Sequence, residues 1–212
     1  MGDHPLIPAS VDWFFADITL SKQSRLMLPT FTTHRLILTP LVLADAPDVQ
    51  RLFPSWEVVR FLAATIPWPY PDDGALTYIR DRALPSMANG QEFHWAIRLK
   101  THSDELIGMV SLMMQPDDNR GFWLDPASQG KGLMTEACNA VTKFWFASLG
   151  QEVLRVPKAC ANAPSRAISE LSGMRVVWRG ERDYVSGRHE AEVWEITAAE
   201  WRQQPDLAPQ AD

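Results

Sequence analysis

Apolar residues recur along this chain with two periods, and the switches between them mark its elements. From His34 to Thr39 the pattern alternates, Leu36 and Leu38 against Arg35, Ile37 and Thr39, which is the spacing of a half-buried strand. Ala44–Leu52 then reads as a short helix with Asp45 near its start, and Trp56–Leu62 as another. Pro67-Trp68-Pro69-Tyr70-Pro71 is a rigid loop by its proline content. Asp72 or Asp73 starts a helix to about Ala88, with Leu76, Ile79, Ala83 and Leu84 on one face and Asn89-Gly90 at its end. Phe93–Leu99 and Leu106–Met113 predict a hairpin around the polar turn Thr101-His102-Ser103-Asp104, and Arg120–Leu124 a further strand. Leu133, Ala137, Val141 and Phe144 lie at helical spacing in a long helix, Gly132–Ser148, followed by Gly150. Val153–Ala159 reads as a strand, Ser165–Leu171 as a short helix closed by Gly173, and Met174–Gly180 and Glu190–Thr197 as strands. This order predicts an α+β, or mixed α/β, fold. Residues 1–30 carry no clear period, and Asp12–Leu20 fits a short helix or an extended arm. The expected organisation is an arm over 1–30, one domain over 31–203 and a flexible tail over 204–212.

Composition narrows the partners. The 212 residues are 46% hydrophobic and 22% charged, enough for one sizeable core, and the formal net charge is −6. No Lys/Arg cluster offers a footprint for nucleic acid or an anionic membrane surface. No apolar run approaches the roughly 18 residues of a spanning helix. The N-terminus, MGDHPLIPASVDWFF, lacks the basic region and apolar core of a signal peptide. Cys138 and Cys160 stand apart from each other and from histidines, which argues against a metal site and for two small hydrophobes in a reducing cytoplasm.

The chemistry concentrates in Gly121–Ala137, GFWLDPASQGKGLMTEA. Gly121–Leu124 looks like a strand that Asp125 and Pro126 end. Gln129-Gly130-Lys131-Gly132 follows, and a helix starts directly after it. Strand, glycine-bearing loop and helix start are the parts of an anion site: the first helical amides have no partners, the dipole adds positive charge, and glycine lets a phosphate approach. The common phosphate and hydrolase motifs are missing. No GxxxxGK[ST], GxSxG or HExxH occurs, and Thr135 stands where the third glycine of GxGxxG belongs.

Gln129-Gly130-Lys131-Gly132-Leu133-Met134 resembles the Q/R-x-x-G-x-G/A acetyl-CoA signature of the GCN5-related N-acetyltransferases (GNATs). Phe122-Trp123-Leu124-Asp125-Pro126 before it and Met134-Thr135-Glu136-Ala137 after it are similar to the RimJ/RimL-like branch, which modifies ribosomal-protein N-termini among other amines. The resemblance continues through Leu106-Ile107-Gly108, Asn162-Ala163-Pro164-Ser165 and Ser172-Gly173-Met174. Met134 departs from it, standing where the family has Gly or Ala, and this predicts a more crowded last turn of the loop.

The resemblance implies a twisted, mostly antiparallel sheet with helices on both faces and two parallel central strands, Arg120–Leu124 and Val153–Ala159, splayed apart. Acetyl-CoA would be the cosubstrate and no metal is implied. Its pantetheine would pair with the backbone of Trp123 and Leu124, and its pyrophosphate would sit on the amides of Gly130, Lys131, Gly132, Leu133 and Met134. Thr135 would add a hydroxyl and Gln129 would shape the loop. Lys131 would add charge or be a solvated surface lysine. Ser165 would protonate the departing sulfur and Asn162 would contact the cofactor; the alternative is that both simply cap the Ser165–Leu171 helix. For a general base, His94, Glu92, Asp183, Tyr184 and Glu192 stand without rank. A site lacking a strong base suits an α-amine, whose pKa of about 8 leaves roughly a tenth neutral at pH 7, better than lysine. Trp56, Trp68, Tyr70 and Trp95 would line an acceptor pocket or pack the core. The implied function is N-acetyl transfer to a protein N-terminus or small amine. A non-catalytic acyl-CoA-binding regulator on the same fold is its rival, and an arm packed on a partner subunit allows a homodimer.

Overall fold

A computed structural model of the protein describes residues 28–204. Most of the expected arm, including Asp12–Leu20, and the tail beyond 204 lie outside the described residues. The elements run β1 (Phe31–Thr32), β2 (Leu36–Pro40), α1 (Ala46–Leu52), α2 (Trp56–Val59), α3 (Gly74–Tyr78), α4 (Leu84–Ala88), β3 (Glu92–Leu99), β4 (His102–Met113), β5 (Arg120–Leu124), α5 (Leu133–Lys143), β6 (Val153–Ala159), α6 (Ala163–Leu171), β7 (Arg175–Tyr184), β8 (Gly187–Thr197) and α7 (Ala198–Arg202). Strands β1-β2-β3-β4-β5 form one antiparallel sheet in that order, and β6-β8-β7 form a second. The fold is α+β with helices on both faces of the first sheet.

Strand β3 shows why. Phe93, Trp95 and Ile97 point into a core with α5 residues Leu133, Met134, Ala137, Cys138 and Val141, and with Leu154, Val156, Trp194 and Ile196 of the second sheet. Ala96, on the opposite pleat, joins Val49, Phe53, Val59, Ile79 and Ala83 in a second core. Because both faces are covered, Glu92 and His94 on this second pleat are buried along with the apolar residues. Helix α5 presents its apolar stripe to the first core and so sets its N-terminus against the end of β5.

The structure departs from the sequence reading in detail, as three cases illustrate. The predicted Asp73–Ala88 helix widens into a π turn over Ile79–Ala83, where Pro85 has no N–H for an α-type bond to Asp81. The hairpin turn contracts to Lys100-Thr101, because His102 already pairs with Leu99. Helix α7 escaped notice although Thr197 and Glu200 form a capping box, the Thr197 N–H donating to Glu200 Oε2 at 2.8 Å. Among the described residues no helix is long and apolar enough to cross a membrane.

Candidate active site

The loop between β5 and α5 is built by backbone geometry. Asp125 N–H donates to the Ile107 carbonyl at 2.8 Å and closes the ladder with β4. Gln129 folds back, its Nε2 donating to the Leu124 carbonyl at 2.8 Å. Gly130 and Gly132 take left-handed conformations, φ +72° and +73°, where a Cβ costs about 1–2 kcal/mol. The first i→i−4 bond of α5 runs from Glu136 N–H to the Gly132 carbonyl at 3.1 Å. The amides of Leu133, Met134 and Thr135 therefore have no helical partner, and with the helix dipole they favour an anion.

This loop is tied to β2 from behind. Arg35 Nη1 donates to the Lys131 carbonyl at 2.8 Å, and Arg35 Nε pairs with Glu136 Oε2 at 2.7 Å. Glu136 Oε1 also accepts from Thr33 Oγ1 at 2.5 Å and from the Arg35 N–H at 2.7 Å. Burial pushes the Glu136 carboxyl up, but the bonds from Thr33 and Arg35 outweigh it and hold the group below the usual range. Lys131 donates to the Ala127 carbonyl at 2.8 Å and so braces the loop. Met134 is buried in the first core, so its bulk lies beneath the helix and does not cover the loop amides.

Strands β5 and β6 meet at one end. Asn119 N–H donates to the Arg155 carbonyl at 2.7 Å, and the Arg155 N–H to Asn119 Oδ1 at 2.7 Å. Three residues on along both strands, Lys158 Nζ lies 4.8 Å from the Phe122 ring centroid. The equal offset shows that the strands run in the same direction. No ladder joins them, so a gap opens between the two sheets. Alternation across the β4–β5 ladder turns the backbone of Trp123, paired with Met109, toward β4. The N–H groups of Phe122 and Leu124 face the gap. Trp123 and Leu124, expected together at the cofactor, are thus separated: the Trp123 ring packs on Phe53 in the second core, 5.3 Å between centroids.

Lys158 was missed by sequence reasoning. It is buried at the gap, and its Nζ donates to Ser165 Oγ at 2.7 Å. Desolvation, reinforced by the Arg120 guanidinium, lowers its pKa to about 7. The available signal was strand alternation: Lys158 follows Leu154 and Val156 on the inward face of β6. Arg120 is buried too, with Nη1 on Thr142 Oγ1 at 2.8 Å. Asp118, before β5, has its carboxyl pushed up to about 6 by desolvation. Ser165 sits in the first turn of α6, where Asn162 Oδ1 accepts its N–H at 3.3 Å as the helix cap. That bond engages the backbone of Ser165 and leaves its hydroxyl with Lys158.

The base candidates separate clearly. His94 is buried, Nδ1 on Ser111 Oγ at 2.6 Å and Nε2 on Glu92 Oε2 at 2.9 Å. Glu192 is held by Arg166 at 2.9 Å and Arg179 at 3.2 Å. Asp183 is exposed beside Arg188 at 3.4 Å. The Tyr184 hydroxyl is buried without a partner among the described residues, and burial pushes its pKa up to about 12. Of the aromatic residues, Trp95 is wholly buried and donates to the Pro29 carbonyl at 2.9 Å. Tyr70 packs on Phe53, while Trp56 and Trp68 form an exposed pair with centroids 5.6 Å apart.

Comparison with known proteins bears on family and fold. The profile of the acetyltransferase (GNAT) domain matches residues 35–175. YdaF of Bacillus subtilis (strain 168), named as a candidate ribosomal N-acetyltransferase, is 31% identical over 107 residues, 47% of this chain; the match spans 58% of that relative's length. Among solved structures, the ribosomal-protein-S5-alanine acetyltransferase of Vibrio fischeri superposes with a TM-score of 0.69 at 14% identity, covering 82% of this chain and 98% of that one. Mycobacterium smegmatis RimJ in complex with a CoA disulfide superposes with a TM-score of 0.70 at 16% identity, covering 82% and 90%. At these identities the structural likeness is one of fold.

Proposed function

The chain belongs to the acetyltransferase (GNAT) domain family, and on that premise we propose that it transfers the acetyl group of acetyl-CoA directly to a primary amine within a ternary complex. The observation that carries this proposal is the cradle at Gln129–Thr135 opening beside the gap between β5 and β6. Acetyl-CoA supplies an activated thioester, and this chain's residues have three tasks. The amides from Gly130 to Thr135 hold the pyrophosphate, with Gln129, Lys131 and Arg35 keeping the loop in shape. The Leu124 N–H, facing the gap, donates to the thioester oxygen as charge develops; one such donor is worth about 10²–10³ in rate. Ser165 gives a proton to the departing sulfur, with Asn162 holding the turn that presents it. Residues 31–203 form the acetyltransferase domain, acting in the cytoplasm.

Two of the relatives carry ribosomal-protein acetyltransferase names, which favours a protein N-terminal α-amine as acceptor. The absence of an uncommitted strong base among the candidates His94, Glu92, Asp183, Tyr184 and Glu192 agrees, since an α-amine is already partly neutral at pH 7. The test is calorimetric titration of the full chain with CoA, followed by thiol release from acetyl-CoA over a panel of peptide α-amines, lysine side chains and polyamines. Thiol release driven by peptide α-amines is the expected result. Tight CoA binding with no release from any amine supports the non-catalytic regulator, and no CoA binding refutes both. Ser165→Ala lowers turnover strongly with little change in CoA affinity; unchanged turnover removes Ser165 from the mechanism.

A further inference from the structure

Two buried cations, Lys158 and Arg120, stand behind the gap, and neither forms an ion pair with a carboxylate among the described residues. A buried, uncompensated charge is costly, and burial of two together calls for an anionic group nearby during function. Lys158 reaches across the gap: Phe122 of β5 lies under its Nζ, and Ser165 of α6 accepts from it. Because an ammonium only donates, the Ser165 hydroxyl proton is free to point elsewhere, and Ser165 is the half-buried member of the pair. We propose that Lys158 is the proton source behind Ser165, so that the two form a relay which stabilises and then protonates the thiolate of CoA.

This relay rests on the acetyl-transfer reading of the site. As the amine nitrogen bonds to the acetyl carbon and the carbon–sulfur bond breaks, sulfur takes the hydroxyl proton of Ser165. Ser165 recovers one from Lys158 Nζ, leaving a neutral amine. The proton lost by the acceptor amine goes to water, and Lys158 recharges from solvent when CoA leaves, so protons balance over the cycle. Lys158, with a pKa of about 7, is a stronger acid than an ordinary thiol of about 8.5, so the transfer runs downhill. The groups facing Lys158 are Arg120 from β5, Cys138 from α5, Asp118 from the preceding loop and Ser165 from α6. Its cross-strand partner on β8, Glu192, is already held by Arg166 and Arg179.

The experiment follows the thiol of CoA bound to the full chain by its ultraviolet thiolate absorbance across pH, with affinity measured by calorimetry on the same samples. In the wild-type chain the bound thiol titrates below free CoA. Lys158→Met raises its pKa by about one unit, a tenfold loss of thiolate at a given pH. Lys158→Arg keeps the positive charge and therefore the lowered thiol pKa. Where an amine gives turnover, kcat of Lys158→Arg is low at every pH, because a guanidinium does not release its proton, and it lacks the alkaline fall seen as Lys158 loses its own; Lys158→Met adds nothing to Ser165→Ala. If Lys158→Met binds CoA with wild-type affinity and leaves the thiol pKa unchanged, the relay is wrong while the acetyltransferase reading stands. If wild-type chain does not bind CoA, both fall.

Discussion

Glu136→Gln isolates how the Gln129–Gly132 loop is held, because Glu136 supports the loop from behind. The carboxylate accepts from Thr33 Oγ1 and the Arg35 N–H at Oε1 and from Arg35 Nε at Oε2. Glutamine can keep the first two bonds through its oxygen, but its amide nitrogen then faces the Arg35 Nε–H, donor against donor. A hydrogen bond to a charged group contributes about 1.5–3 kcal/mol when protected. The Arg35 side chain is 42% exposed and that of Glu136 16%, so screening brings the net loss to about 1–2 kcal/mol. For a chain of this size that lowers Tm by about 2–8 °C. The folded carboxyl lies below the unfolded value of about 4.3. Its stabilisation is therefore complete above about pH 4.3 and is lost as pH falls through the folded value. Glutamine does not titrate, so the gap between wild type and variant stays constant from about pH 8 to 5 and closes in acid. Urea unfolding followed by tryptophan fluorescence over a pH series measures it. CoA affinity falls with the loosened loop, by up to about tenfold if 1.4 kcal/mol of loop order is lost. Equal stability at neutral pH, or a gap that widens in acid, refutes this account of Glu136.

Three further outcomes test the site. In Gly132→Ala the new Cβ meets only Arg35 Nη2, at 3.6 Å, so the left-handed backbone alone sets a cost of about 1–2 kcal/mol; Gly130→Ala, with open space around it, should match it in calorimetric melting. Asn162→Ala removes the α6 cap at a cost of about 1 kcal/mol, read by denaturant unfolding. Met134→Ala leaves a core cavity and costs about 2–5 kcal/mol, yet calorimetric CoA affinity holds, because the side chain lies in the first core.

The strands bounding the site were legible because their local patterns are decisive. Arg120–Leu124 and Val153–Ala159 have the same limits in the structure as in the sequence, since Pro126 and Gly150 punctuate chains of strand-forming residues. The loop was legible for the same reason: two glycines before a helical stripe imply positive φ, and both adopt it. The break at Pro85 and the capping box at Thr197 were local too, and could have been read. Arg35 with Glu136 could not. They lie 101 positions apart and meet only because α5 packs across β2.

Local order along the chain specified what kind of backbone would exist at Gly121–Ala137, a strand, a left-handed turn and a helix start. Those are consequences of φ preference, side-chain volume and missing amide partners, all present in the residues themselves. Which groups face the gap came from packing of one sheet against the other. Ladder register sent the Trp123 backbone to β4 and left that of Phe122 and Leu124 toward β6. Burial turned Lys158, an ordinary lysine in one dimension, into a group titrating near neutrality against Ser165. Desolvation and distance belong to no single residue, so that chemistry arises only where the two sheets part.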